Sequence, residues 1–164
     1  MKKVSLELGS GGRLMRDFIA GTVVPAFSNR ILGELTDAGR LPGGIALTTD
    51  SYVVDPLFFR GGDIGRLAVN GTVNDLVVSG AEPLYLSLAL ILEEGLETEV
   101  LDRVIRSVRD AARAAGVQVV TGDTKVVRRG QGDKVFINTA GVGRTVARPR
   151  LGRIRRGDKI ILTG

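Results

Sequence analysis

The 164-residue sequence predicts a mixed α and β domain, α/β or α+β, on three observations. Val100, Leu101, Val104, Ile105, Val108, Ala111, Ala112 and Ala115 recur at helical spacing and mark a helix over 98–115. Residues 45–54 (IALTTDSYVV) are rich in β-branched side chains, and 83–92 (PLYLSLALIL) form a near-continuous apolar run, so both read as strands. The connection from that second run to Val117–Thr121 spans about 25 residues, long enough for a βαβ crossover.

Taken in order, the chain begins with a glycine cluster, Gly9-Ser10-Gly11-Gly12, read as a flexible loop. A first helix follows through Leu14, Met15, Phe18 and Ile19. Residues 33–44 read as a polar, Gly-rich turn, and the strand at 45–54 is interrupted by one charge, Asp50. A helix is expected from Asp63 to Ser79, with Asp63 as N-cap and Gly80 closing it. Its interior holds Asn70-Gly71-Thr72 and Asn74-Asp75, which are poor helix formers, so one face is expected to do something other than pack. The run 83–92 is expected to be buried on both faces or at an interface. Gly116 suits the end of the 98–115 helix, and Val117–Thr121 reads as a short strand ending at Gly122-Asp123. Further strands are expected at 135–142 and 159–163. A chain that stops on a fresh strand and Gly164 is expected to be one domain of a longer protein. There is no internal repeat.

Length suits one compact domain. The sequence has no Cys, His or Trp. That excludes disulfides, thiolate nucleophiles, Cys-ligated zinc, Ser-His-Asp triads and imidazole shuttles. Any chemistry must come from carboxylates, Lys, Arg, hydroxyls and backbone amides. Net charge is +5, but residues 144–164 hold seven basic residues and one acid, leaving 16 basic and 17 acidic residues in 1–143. That segment (Arg144, Arg148, Arg150, Arg153, Arg155, Arg156, Asp158, Lys159) has no interleaved aromatics. A solvated loop or a partner-facing surface is expected there rather than a nucleic-acid patch. Residues 1–7 hold no secretory apolar region, and the longest apolar stretch, Leu84 to Leu92, is far short of the roughly 20 residues a membrane helix needs. A soluble cytoplasmic protein that binds neither membrane nor nucleic acid is therefore expected.

Three carboxylates stand where packing does not ask for them. Asp50 breaks an apolar strand, Asp75 lies beside Leu76, Val77 and Val78, and Asp123 sits in Thr121-Gly122-Asp123-Thr124. Buried carboxylates are costly unless paired or bound to a cation. Converging, they would make a hard-oxygen site suited to Mg2+ and a nucleotide phosphate. Taken singly, Asp123 is equally a turn residue. Gly9–Gly12 before a helix could offer backbone N–H groups to phosphate, without a Walker ending. Lys125, beside Asp123-Thr124, could touch a phosphate, or be a surface lysine.

Gly9-Ser10-Gly11-Gly12, Thr48-Thr49-Asp50-Ser51-Tyr52-Val53-Val54, Pro56-Leu57-Phe58-Phe59, Gly61-Gly62-Asp63-Ile64-Gly65, Val69 to Leu76 (VNGTVNDL), Gly80-Ala81-Glu82-Pro83, Gly122 to Val127 (GDTKVV) and Phe136-Ile137-Asn138-Thr139 together resemble the HypE family of hydrogenase-maturation carbamoyl dehydratases. HypE belongs to the PurM-like, aminoimidazole ribonucleotide synthetase-related superfamily. The likeness runs from about residue 6 to 164. It implies an α+β, PurM N-terminal-domain-like fold with a mixed sheet packed by helices, dimerising through the sheet with ATP near that interface. Residues 1–164 would be the ATP-binding and dimerisation domain, with the second domain and its Cys-ended tail absent. By resemblance, Asp50, Asp75 and Asp123 would hold Mg2+. Gly9, Ser10, Gly11, Gly12, Asn70, Thr124 and Lys125 would join them around ATP, and Asp75 and Lys125 would act in catalysis. The implied reaction uses ATP to dehydrate a carbamoylated C-terminal Cys to a thiocyanate, the source of cyanide for nickel–iron hydrogenase. The implied partners are the carbamoyltransferase HypF and the HypC–HypD complex. Without a Cys, this domain alone is expected to be inactive. The alternatives are another ATP-dependent enzyme of the superfamily, such as a selenophosphate synthetase or thiamine-phosphate kinase, and a non-catalytic dimerisation or partner-docking module.

Overall fold

The computed structural model describes residues 3–149 and 154–161. Short helices α1 (Gly12–Phe18), α2 (Val24–Phe27) and α3 (Arg30–Gly33) precede β1 (Gly39–Leu41) and β2 (Ile45–Tyr52). A small hairpin, β3 (Phe58–Phe59) and β4 (Gly62–Asp63), leads into α4 (Ile64–Val78). Then come β5 (Ala81–Glu93), α5 (Thr98–Ala114), β6 (Gln118–Val127) and β7 (Val135–Thr145). The main sheet has order β1-β2-β7-β5-β6 and is antiparallel except for the β5–β6 pair, which α5 connects. This is the mixed sheet packed by helices, α+β, that the sequence predicts.

Both long helices pack on one face of the sheet. Along β7 every second residue (Val135, Ile137, Thr139, Gly141, Gly143) is buried, the period-2 signature of a strand with one covered face. Ile64, Ala68, Val104, Leu90, Val135 and Ile137 form the main core, continued by Val69, Leu86, Val108, Ala112 and Val117. Leu76 seals the far end against Ala38, Ala46 and Ala81. On the opposite sheet face, Leu47, Tyr85 and Ile91 are each more than 40% exposed among the described residues. So β5 is buried on the helix face only, through Leu86, Leu90 and Leu92.

The ends of α4 follow their expected chemistry. Asp63 Oδ1 accepts from the N–H groups of Gly65 (2.8 Å) and Arg66 (3.1 Å), and its Oδ2 accepts from Ser107 on α5 (2.7 Å). One cap therefore also fixes the helix pair. Gly80 closes the helix at φ +79°, and a Cβ there would lie 2.6 Å from the Ala147 carbonyl.

Four expectations are corrected. The first helix is not continuous: a π-helical turn at Ile19–Val23 separates α1 from α2, and no residue of either is buried. The turn at 33–44 contains β1, because Gly39–Leu41 can pair with Ile45–Leu47 around Pro42-Gly43-Gly44. The short strand at 117–121 continues unbroken to Val127, so Gly122-Asp123-Thr124 lies within a strand. Residues 159–161 are not a strand and are solvent-exposed. The remainder of that expected strand, and Arg150 and Arg153 of the basic segment, lie outside the described residues.

Candidate functional site: a carboxylate pair between sheet and helix

Asp50 stands on β2, on the face that α4 covers. The register aligns it with Thr139 of β7, and its neighbours Thr48 and Tyr52 on the same face are buried. Asp75 lies on the side of α4 that meets the sheet, seven residues and nearly two turns beyond Ala68. Two elements distant in sequence thus bring two carboxylates together. Burial, first, and then the charge of Asp50 push the Asp75 carboxyl above its usual range, opposed by a hydrogen bond from Thr48. Thr48 Oγ1 shares its one hydrogen between the Asp37 carbonyl at 2.8 Å and Asp75 Oδ2 at 3.1 Å, and Tyr52 Oη donates to Asp50 Oδ2 at 3.0 Å. Asn138 Nδ2 fixes the strand by donating to the Asp50 carbonyl at 2.8 Å. Among the described residues no Lys or Arg forms an ion pair with either carboxylate.

Asp37 adds negative charge near Asp75, raising its pKa further. The sequence held no signal for it, since it sits in a polar Gly-rich segment. Tyr52 and Thr48 were equally unselected. Their period-2 relation to Asp50 is the signal that finds them: Thr48, Asp50 and Tyr52 must share one strand face.

The structure does not bring the third acid to this pair within one chain. Cross-strand partners share a face. Asp50 belongs to the row Asp50–Thr139–Leu88–Gly122, under the helices. Asp123 belongs to the adjacent row Ser51–Asn138–Ala89–Asp123, on the open face. The two are also separated by three strand spacings of roughly 4.8 Å each. Among the described residues, no three acids are grouped to hold a metal ion. Asp123 instead pairs with Lys125 at 3.5 Å on the exposed edge strand β6, with Thr124 between them.

Asn70 is likewise elsewhere. Five residues at about 100° each turn it well away from Asp75. It lines a groove of about 590 Å³ between α4 and α5 with Arg66, Arg103 and Arg106. Gly9 to Gly12 lie in the exposed N-terminal arm, where Ser10 Oγ donates to the Leu6 carbonyl (2.9 Å). No described contact brings that arm to the pair.

Two carboxyl groups brought together without a protein cation fit a divalent metal, because hard oxygens and negative charge are what Mg2+ neutralises. The sequence comparison agrees with the fold: residues 36–145 match the AIR synthase related protein N-terminal domain. The chain belongs to the AIR synthase related family. Within it, the carbamoyl dehydratase HypE of Escherichia coli K12 is 48% identical over 174 residues, covering all of this chain and 52% of the relative. A HypE crystallised in complex with ATP is 54% identical, with TM-score 0.68, over 93% of this chain and 47% of that one. A HypE in a HypE–HypF crystal complex is 50% identical, with TM-score 0.76, over 79% of this chain and 43% of that one. The chain spans about half the length of the curated relatives it matches. Among the described residues no helix is long and apolar enough to cross a membrane.

Proposed function

We propose that this chain is the nucleotide-handling N-terminal half of a HypE-type carbamoyl dehydratase, and that Asp50 and Asp75 hold the divalent ion that accompanies ATP. The observation that supports it is the uncompensated pair, Asp75 raised by burial and by Asp50, in a chain 54% identical to a HypE crystallised with ATP. Bound there, Mg2+ would neutralise charge on the transferring phosphate.

In the proposed reaction the thiocarbamate oxygen of a carbamoylated Cys attacks the γ-phosphorus, and ADP leaves. The nitrogen gives up one proton to solvent as the O-phosphorylated imidate forms, and its second proton leaves with the phosphate as the C–O bond breaks, leaving a thiocyanate. This sequence contains no Cys, so the reacting Cys lies outside these 164 residues. What the chain supplies is placement. Asp50 and Asp75 set the position of the phosphates, and Thr48 orients Asp75 toward them.

Asp123 and Lys125 join the site in this reading through a second copy of the chain. Leu47, Tyr85 and Ile91 on the open face favour such pairing, since apolar surface of that kind marks an association face. A homodimer closing over it would set the Asp123–Lys125 edge of one copy against the open face of the other; because the pair lies on the opposite, helix-covered face, the nucleotide rather than a direct contact would join the two sets of residues. HypF, and the HypC–HypD complex, remain the proposed partners of the whole protein.

Calorimetry with MgATP tests the reading. Binding that Asp75→Asn abolishes supports it. A folded, dimeric chain that releases no heat with MgATP identifies a docking module instead. In the longer protein, Asp75→Asn is expected to stop ATP hydrolysis and leave fold and association intact.

A further inference from the structure

The middle of α4 contains a glycine that helix chemistry does not want. Gly71 lies eight residues into a 15-residue helix, where Ala would be the better helix former. Its φ is ordinary, so no turn requires it. What requires it is space: a Cβ at Gly71 would overlap Tyr52 Oη and come within 3.0 Å of Cε1 and Cζ of that ring. The glycine is a slot, and the Tyr52 ring end fills it.

The slot brings the Tyr52 hydroxyl to two partners at once. Its oxygen is 3.0 Å from Asp50 Oδ2 and 3.1 Å from Thr72 Oγ1. A hydroxyl has one hydrogen, and a carboxylate only accepts. Tyr52 therefore donates to Asp50, so Thr72 must donate to Tyr52. Thr72 has then used its own hydrogen, so its bond with Thr139 Oγ1 is donated by Thr139, whose other acceptor, the Ala68 carbonyl, is the more distant at 3.5 Å. The three hydroxyls are buried, with Thr72 and Thr139 at most 1% exposed, so water does not compete for these bonds. The result is a one-directional chain, Thr139 to Thr72 to Tyr52 to Asp50, that ends on a single carboxylate oxygen.

We infer that Tyr52 is the positioning residue of the carboxylate pair: seated in the Gly71 slot and oriented by Thr72 and Thr139, it holds one oxygen of Asp50 and leaves the other for a divalent cation. The inference rests on the proposed metal role of Asp50 and Asp75, and adds residues to it. A partner that orients a ligand in this way is commonly worth roughly 10- to 100-fold in metal affinity.

The test is Mn2+ titration of the 164-residue chain, read by electron paramagnetic resonance, for wild type, Tyr52→Phe, Gly71→Ala and the double variant. Circular dichroism monitors the fold. Tyr52→Phe is expected to weaken Mn2+ by roughly 10- to 100-fold with the fold unchanged. Gly71→Ala should produce the same loss by displacing the ring. The double variant should be no weaker than Tyr52→Phe alone, because both changes remove one hydrogen bond. Mn2+ binding by Tyr52→Phe within about twofold of wild type, or losses that add in the double variant, would overturn the inference while leaving the metal site standing. A wild-type chain that does not bind Mn2+ would remove the metal site and this inference together.

Discussion

Asp75 is the residue whose energetics are most exposed to test. Its carboxyl is raised by burial and by Asp50, so the folded chain holds its proton more tightly than the unfolded chain does. The corresponding stability is full at pH values below the ordinary Asp range and is lost as pH rises through the raised value. Without divalent ions, thermal stability is therefore expected to fall across that window, and Asp75→Asn should flatten the fall and raise the melting temperature at neutral pH. Melting curves against pH decide this; an identical slope in the Asn variant would contradict it. Mg2+ should favour the ionised pair and reduce the same slope. Asp50 and Asp75 were legible as candidates because charge among apolar neighbours needs a reason. Their adjacency follows only from the fold, since the β3–β4 hairpin and about three turns of α4 lie between them and must be placed first. Tyr52 is buried in the same network, and its hydroxyl is pushed up to about 12, mainly by burial, so it remains a donor across the physiological range.

At the scale of elements, α4 is the part that joins core to site. Its apolar side buries Ile64, Ala68, Val69 and Leu76 completely. Leu76 lies one residue from Asp75 and anchors that end of the helix against Ala38, Ala46 and Ala81. Leu76→Ala is expected to cost about 2–5 kcal/mol in urea unfolding, as cavity-forming core substitutions do; a loss below ~1 kcal/mol would show that the end collapses freely. Asp63→Ala should cost about 1 kcal/mol for the cap, with more if the Ser107 tie to α5 matters, and Ser107→Ala in the same background separates the two. The long elements were legible because their apolar periods and caps agree. β6 runs past the expected end at Gly122-Asp123 for a physical reason: the lack of a side chain at Gly122 serves close approach within the strand rather than ending it. A Cβ there would overlap the Leu88 carbonyl of the neighbouring strand. Composition alone does not separate those two uses. Residues 159–161 carry apolar side chains at strand-like density, yet among the described residues they pair with no strand and stay exposed.

For the whole molecule, the open sheet face and the edge strand β6 are the features a single chain leaves unexplained. Leu47 and Ile91 project from the face opposite the core, on β2 and β5. A second copy covering that face would bury them and bring another Asp123–Lys125 pair to the assembly. Leu47→Lys is expected to shift sedimentation velocity from dimer to monomer and to weaken MgATP binding with it. A dimer unaffected by this charge would place the association surface elsewhere. The fold class was legible from periodicity, but the faces were not: which side of a strand meets a helix depends on register, and Asp50 and Asp123 differ by one row and so fall on opposite sides. The central claim is that the Asp50–Asp75 pair grips the cation carried by ATP. Isothermal titration of MgATP into the wild-type chain and into Asp75→Asn tests it most directly. The account predicts saturable binding by the wild type and its loss in the variant, with both chains folded; equal binding by the two would contradict it.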